Sequence, residues 1–413
     1  MKAKNLFIRG SVLAVSLSAA IAAQAADVQW LQTGQQDLSA TQLVRSADAA
    51  PLSPNANRNV ELVQFQWPLE ADATLASGDE GSVNESRQYW LDVDAVQLSK
   101  GVAINTSSTG AVIRVSPMNA NSRATLKREE LSLSVGGRAL DANASFSTFA
   151  NSSQLRASGA PFAEGTIAFQ LNGNVPAGEI TLALNNRAAS SDQYVIHVFE
   201  PNSKAIAEVR TAKSAHLVGS PINASLKVDG AQGQVSGFLV SPDGKTSIDL
   251  SFQAGRDGYS ASVNAPAFQG NGLWELHTHF DGVNKAGQRI LRDTKTAVNI
   301  TAATARLNQQ AQIQQSFGSA QGQVALNLGV DVAAAGRYQL SGVIYGTNKS
   351  GQLQPVALAQ SAKWLEAGTQ QLPLSFNVSV DGISAPYEVR DLRLQDQSRL
   401  GVLHRQDRAL LIR

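Results

Sequence analysis

Glu275, His277, His279 and Asp281 occupy alternate positions of one run, Glu275-Leu276-His277-Thr278-His279-Phe280-Asp281, which holds two of the five histidines in the chain. On an extended strand, alternate side chains leave the same face, and residues two apart sit about 6.6–6.8 Å apart along it. Two imidazoles at that spacing can converge on one zinc ion, with a carboxylate completing the set. These four are therefore the candidate metal ligands, zinc is the ion they suit, and metal-assisted hydrolysis is the activity such a site would allow. The competing reading is a solvated sheet face, because any half-buried strand alternates polar residues outward.

Other candidates are thinner. Carboxylate pairs fall at Asp79-Glu80, Asp92/Asp94 and Glu129-Glu130. Asp92 and Asp94 share a strand face, which would suit calcium or acid–base work, but the calcium-loop pattern with its glycine and terminal glutamate is absent. No Gly-x-Ser-x-Gly elbow, no His-Glu-x-x-His helix and no glycine-rich phosphate loop occurs, and His197, His216 and His404 stand alone. No catalytic residue and no cofactor-binding residue is assigned, and no cofactor other than zinc is expected. Trp67, Trp90 and Trp274 lie in apolar-rich strand patterns and read as core. Trp364, nearer a loop, is the better candidate for a platform that stacks on a sugar.

The elements that must position these residues are strands. Val63-Gln64-Phe65-Gln66-Trp67, Leu131-Ser132-Leu133-Ser134-Val135 and Ile180-Thr181-Leu182-Ala183-Leu184 alternate with a period of two, which puts one face on a core and the other toward water. From Val209 to Thr301, Asp229-Gly230, Asp243-Gly244, Asp257-Gly258, Asn271-Gly272 and Asp281-Gly282 punctuate the chain like hairpin turns. That describes an immunoglobulin-like sandwich over 206–302, with Trp274, Leu276 and Phe280 as its core. The Thr/Ala/Asn/Gln-rich stretch Asn299–Gln321 reads as an interdomain linker, with room for a first strand inside it. Strand patterns resume at Gly336–Tyr345, Leu372–Phe376 and Tyr387–Leu394, giving a second immunoglobulin-like sandwich over 303–413. Strand patterns at Tyr89–Val93, Gly110–Val115 and Gln193–Phe199 predict one jelly-roll-like β domain over 26–205. The expected class is thus mostly β in three domains.

Lys2, Lys4 and Arg9, an apolar run from Val12 to Ala23, and Ala23-Gln24-Ala25 have the order of a secretory signal peptide over 1–25, cleaved after Ala25. A periplasmic or secreted protein is expected, with no transmembrane segment in the mature chain. The chain has no cysteine, so its cores alone must hold the fold. With 34 basic and 33 acidic residues and no basic tract, it carries no footprint for nucleic acid.

The run Gly101-Val102-Ala103-Ile104 through Gly110–Pro117 resembles the N-terminal domain of an uncharacterised family of exported proteobacterial proteins. Gly336-Arg337-Tyr338 to Tyr345-Gly346 and Ala385–Leu392 are similar to its C-terminal immunoglobulin-like region. The resemblance implies an N-terminal β domain, two immunoglobulin-like domains and no assigned activity, and it transfers no functional residue. The expected function is non-catalytic binding or scaffolding, with a protein or glycan partner at the cell envelope or outside the cell. A zinc site at His277/His279 and a carbohydrate-binding role are the alternatives.

Overall fold

The computed structural model describes residues 27–413 except 57, 76–78, 80, 120–125, 160–161, 186–191, 271, 319–320 and 380–381. The signal-peptide segment, Glu80 and Asn271, all singled out above, lie outside the described residues. The fold is mostly β and multidomain, built as three two-layer sandwiches. No helix among the described residues is long and apolar enough to cross a membrane.

The first sandwich packs a five-stranded sheet (Phe146–Asn151, Ile167–Leu171, Val112–Pro117, Gln193–Phe199, Gln88–Asp94, in spatial order) on a sheet of Val102–Thr106, Gly178–Leu184, Leu131–Val135 and Arg138–Ala139. Alternate residues such as Tyr89, Ile113, Phe169, Leu182 and Ile196 fill the space between. The buried Tyr89 hydroxyl satisfies both backbone groups of Asn105, donating to its carbonyl and accepting from its N–H at 2.9 Å each.

The second sandwich pairs Gln253–Gly255, Gly258–Asn264, Pro221–Val228, Ala207–Thr211 and Val83–Ser86 in one sheet. The other holds Ala215–Leu217, Arg289–Thr301, Trp274–Asn284, Ala231–Val240 and Ser247–Ser251. Strand Pro221–Val228 buries every second residue without exception, and Trp274, Leu276 and Phe280 lie fully in this core. The Asp-Gly turns at Gly230 and Gly244 adopt the positive φ that glycine tolerates. Asp281-Gly282 departs from the turn reading. It lies inside a strand, where Gly282 faces Gly233 and a Cβ would sit 2.3 Å from the Gln232 carbonyl oxygen. Its glycine answers a close backbone approach, not a turn.

The third sandwich sets Ala305–Phe317, Gln321–Val332 and Gly368–Ser379 against a larger sheet. That sheet runs Val28–Trp30, Gly401–Ile412, Ile383–Asp396, Gly336–Asn348, Leu353–Leu365, Val63–Pro68, with Leu38–Ser39 also pairing on Gly401–Ile412. Two readings of the sequence are corrected here. Strands at 28–30, 38–39 and 63–68 pair in the third sandwich and 83–86 in the second, so the 26–205 segment is shared among all three bodies. The stretch 299–321, expected as a linker with at most a first strand inside it, is mostly strand, Ala305–Phe317. Ala305 and Leu307 are buried, Ala311 and Ile313 pack on the core, and the intervening glutamines face water from a sheet edge.

The first and second sandwiches are fastened by a buried network. Arg292 Nη1 donates to Glu200 Oε1 at 2.9 Å, Nε to the Ala205 carbonyl at 2.7 Å, and Nη2 to Ser203 Oγ at 2.7 Å. Glu200 Oε2 in turn accepts from the Ser107 and Ser108 backbone N–H groups. Leu291, the residue before Arg292, is inserted in the core of the first sandwich.

Candidate ligand groove between the first and second sandwiches

Strand alternation places Glu275, His277, His279 and Asp281 on one partly exposed face of Trp274–Asn284, as their spacing requires. Their partners then separate them. Glu275 accepts from Lys295 Nζ at 2.8 Å and bonds His277 Nε2 at 2.9 Å. Asp281 is clamped by Arg289, whose Nε and Nη2 donate at 3.0 and 2.7 Å. His279 Nδ1 bonds Asp293. Among the described residues no group of three or more His, Asp or Glu side chains is arranged to hold a metal ion. The four side chains therefore do not converge: the neighbouring strand supplies Lys295 to Glu275, Arg289 to Asp281 and Asp293 to His279, while His277 bonds Glu275 of its own strand.

These pairings shift the groups in the directions electrostatics demands. The Lys295 ammonium holds the Glu275 carboxyl below its ordinary range, and Arg289 does the same to Asp281. The hydrogen bond to Asp293 raises His279 above the usual histidine range against the effect of partial burial. Burial, reinforced by nearby Arg114, pushes His197 down to about 4.

Around this face runs a groove of about 430 Å³, lined by Trp90, Phe238, His277, His279, Asp293 and Lys295. Register builds it. Phe238 lies opposite His277 and stacks on its ring at 4.9 Å with 7° between planes. In the first sandwich His197 lies opposite Trp90 and stacks at 5.2 Å and 23°, with its Nε2 2.8 Å from Gln88 Oε1. Asp293 ties the halves together: one oxygen holds His279 and the other accepts the Trp90 backbone N–H at 2.6 Å. The groove thus has an aromatic wall from each sandwich and a polar floor between them. Its volume lies in the range of small-molecule sites.

Of these residues, sequence reasoning found the histidines, missed Phe238, Asp293 and Lys295, and read Trp90 as core. The missed signal for Asp293 and Lys295 was the Asn284–Gly287 turn, where the Gly287 N–H bonds the Asn284 carbonyl. Counting outward from it pairs 279 with 293 and 277 with 295.

The remaining candidates have structural duties. Asp94 caps the helix Ala95–Lys100, accepting from the Gln97 N–H, while Asp92 is exposed. Asp79 accepts from the backbone N–H groups of Gly81, Ser214 and Ala215. Glu130 bonds the Lys127 N–H. His216 is buried against the Lys213 carbonyl. Trp364 donates to Glu366 at 2.6 Å and has the Arg58 guanidinium over its ring, 5.9 Å from the centroid. Trp67, expected in a core, is 44% exposed beside Phe65 on an edge strand.

Two family models match the chain, the DUF4785 N-terminal domain of unknown function at residues 54–200 and the DUF4785 C-terminal domain of unknown function at 304–413. Together they span more than half of it. The chain belongs to the DUF4785 family. A crystal structure of a DUF4785 protein from Legionella pneumophila shares its fold, with a TM-score of 0.68 and 20% identity over 90% of this chain and 98% of that one. A squid arrestin (TM-score 0.16, 7% identity, 49% and 92% covered) and a Salmonella alpha-2-macroglobulin reacted with methylamine (0.21, 12%, 80% and 24%) are matched too weakly to carry an argument. No curated protein matches. In this DUF4785 chain the matched regions include Trp90 and exclude Phe238, His277 and His279, so the groove is half outside the family models.

Proposed function

We propose that this DUF4785 protein is an exported, non-catalytic binding protein that takes its ligand in the groove between its first and second sandwiches. The observation that carries this reading is the groove's make-up: two aromatic walls, one from each sandwich, over side chains already fixed by hydrogen bonds. Preorganised polar groups beside apolar walls are what small-ligand sites consist of. The buried Arg292–Glu200 network supports it by fixing the two walls relative to each other, so little ordering cost falls on binding. Asp293 orients His279, but no recognisable nucleophile motif accompanies the pair, which favours recognition over turnover.

Ligand-observed NMR with a fragment mixture tests this. The expected result is at least one binder whose signal is lost in Phe238→Ala and retained in Trp364→Ala. Binding that is indifferent to Phe238 and Trp90 overturns the assignment. Export is tested by fusing residues 1–25 to a reporter that matures only outside the cytoplasm; a silent reporter removes that part of the reading.

A further inference from the structure

We infer that the ligand of this groove is a neutral glycan, an inference that rests on reading the groove as the binding site. The charged and titratable groups lining it are Lys295, Asp293 and the imidazoles of His277 and His279, with Glu275 paired to Lys295. Each full charge already has its counter-charge, Lys295 on Glu275 and Asp293 on His279. An ionic ligand would bring in a charge with no uncompensated counter-charge to meet it. A purely apolar ligand would strip water from the same groups and return no hydrogen bond, and desolvated polar groups left unmet are costly.

A hydroxylated ring meets both demands. Hydroxyls donate and accept, and the groups here keep spare capacity: Lys295 has three N–H donors, a carboxylate about four acceptor positions, and His279 a second ring nitrogen beyond the one held by Asp293. The C–H face of a sugar is apolar and matches an aromatic ring. His197 lies parallel to Trp90 and His277 parallel to Phe238, so each ring has one face taken by an imidazole and turns the remainder to the groove, Phe238 being 38% exposed. The glycan platform expected at Trp364 therefore moves to Trp90 and Phe238.

The test uses the mature protein and two probe sets in saturation-transfer NMR. One set is cellotetraose, maltotetraose and the N-acetylglucosamine tetramer; the other is indole, benzamidine and the tripeptide Gly-Phe-Gly. At least one saccharide is expected to bind, about five- to tenfold more weakly in Phe238→Ala and in Trp90→Ala, as loss of one aromatic face predicts. Phe238→Ala, at an exposed position, should keep the wild-type melt, so a folding defect at Trp90 does not decide the matter. Saccharides that fail to bind, or that bind both variants like wild type, overturn the glycan assignment. If the saccharides fail while a second-set probe binds and depends on Phe238, the groove stands and its glycan falls. If no probe depends on Phe238 or Trp90, both readings fall together. A saccharide signal lost only in Trp364→Ala also overturns the inference.

Discussion

Arg292 and Glu200 meet at 2.9 Å across the junction of the first two sandwiches, 0% and 1% exposed. A buried pair is poor evidence of net stability, because desolvating two charges offsets much of their attraction. Removing one partner is another matter, since it leaves the other charge buried and alone. Arg292→Met is expected to cost about 3–5 kcal/mol, and adding Glu200→Gln should recover much of that loss. Denaturant unfolding of the single and double variants measures it. A single-variant cost below about 1 kcal/mol would show that water reaches the site and that the junction is not fastened as described.

His404 gives stability an acid limb. It is buried in strand Gly401–Ile412, and burial pushes it down to about 4. The unfolded state takes up the proton near pH 6.5 while the folded state refuses it until about pH 4. The contribution is therefore complete above pH 6.5 and lost as pH falls toward 4, up to about 3 kcal/mol at 1.36 kcal/mol per unit. His404→Phe should flatten the unfolding free energy across that window. An unchanged slope would mean that His404 is hydrated.

His279 acts in the opposite sense. Its hydrogen bond to Asp293 raises its affinity for a proton in the folded state, so its contribution is full below about pH 6.5 and fades as pH climbs through the raised value. The pair is partly solvent-exposed, which limits the effect to about 1 kcal/mol or less. NMR titration of the His279 ring should show a midpoint above that of a free histidine in wild type, returning toward it in Asp293→Asn. A wild-type midpoint below the free value would refute the pairing.

Much of the fold was legible in the sequence, and the reason it was legible marks where reading fails. Period-two alternation fixes which residues share a face, so Trp274, Leu276 and Phe280 were placed in a core and Glu275, His277, His279 and Asp281 together on the opposite face. It does not say what covers a face. Phe65 and Trp67 alternate like core residues yet lie exposed on an outer strand, whereas Trp90 was read as core and lines the groove. Nor does it say which edge a strand joins: Val28–Trp30 pairs with Gly401–Ile412 and Val63–Pro68 with Leu353–Leu365, choices set by free edges hundreds of residues away. The His279–Asp293 contact could be counted from the local hairpin, whereas Trp90 reaches the groove only through packing of one sandwich on another.

Zinc should leave the metal-stripped protein unchanged. Each carboxylate of the 275–281 face is committed to Lys295 or Arg289, and recruiting it would break an ion pair before any metal bond formed. A bound ion at about 100 times its dissociation constant would add about 2.7 kcal/mol to native stability, a rise a thermal melt registers readily. The expected melt is the same with and without zinc, and the same response is expected of the His277→Ala/His279→Ala variant. A zinc-dependent rise in wild type that disappears in the double variant would show that the two imidazoles abandon Glu275 and Asp293 to converge on a metal, and would return hydrolysis to consideration.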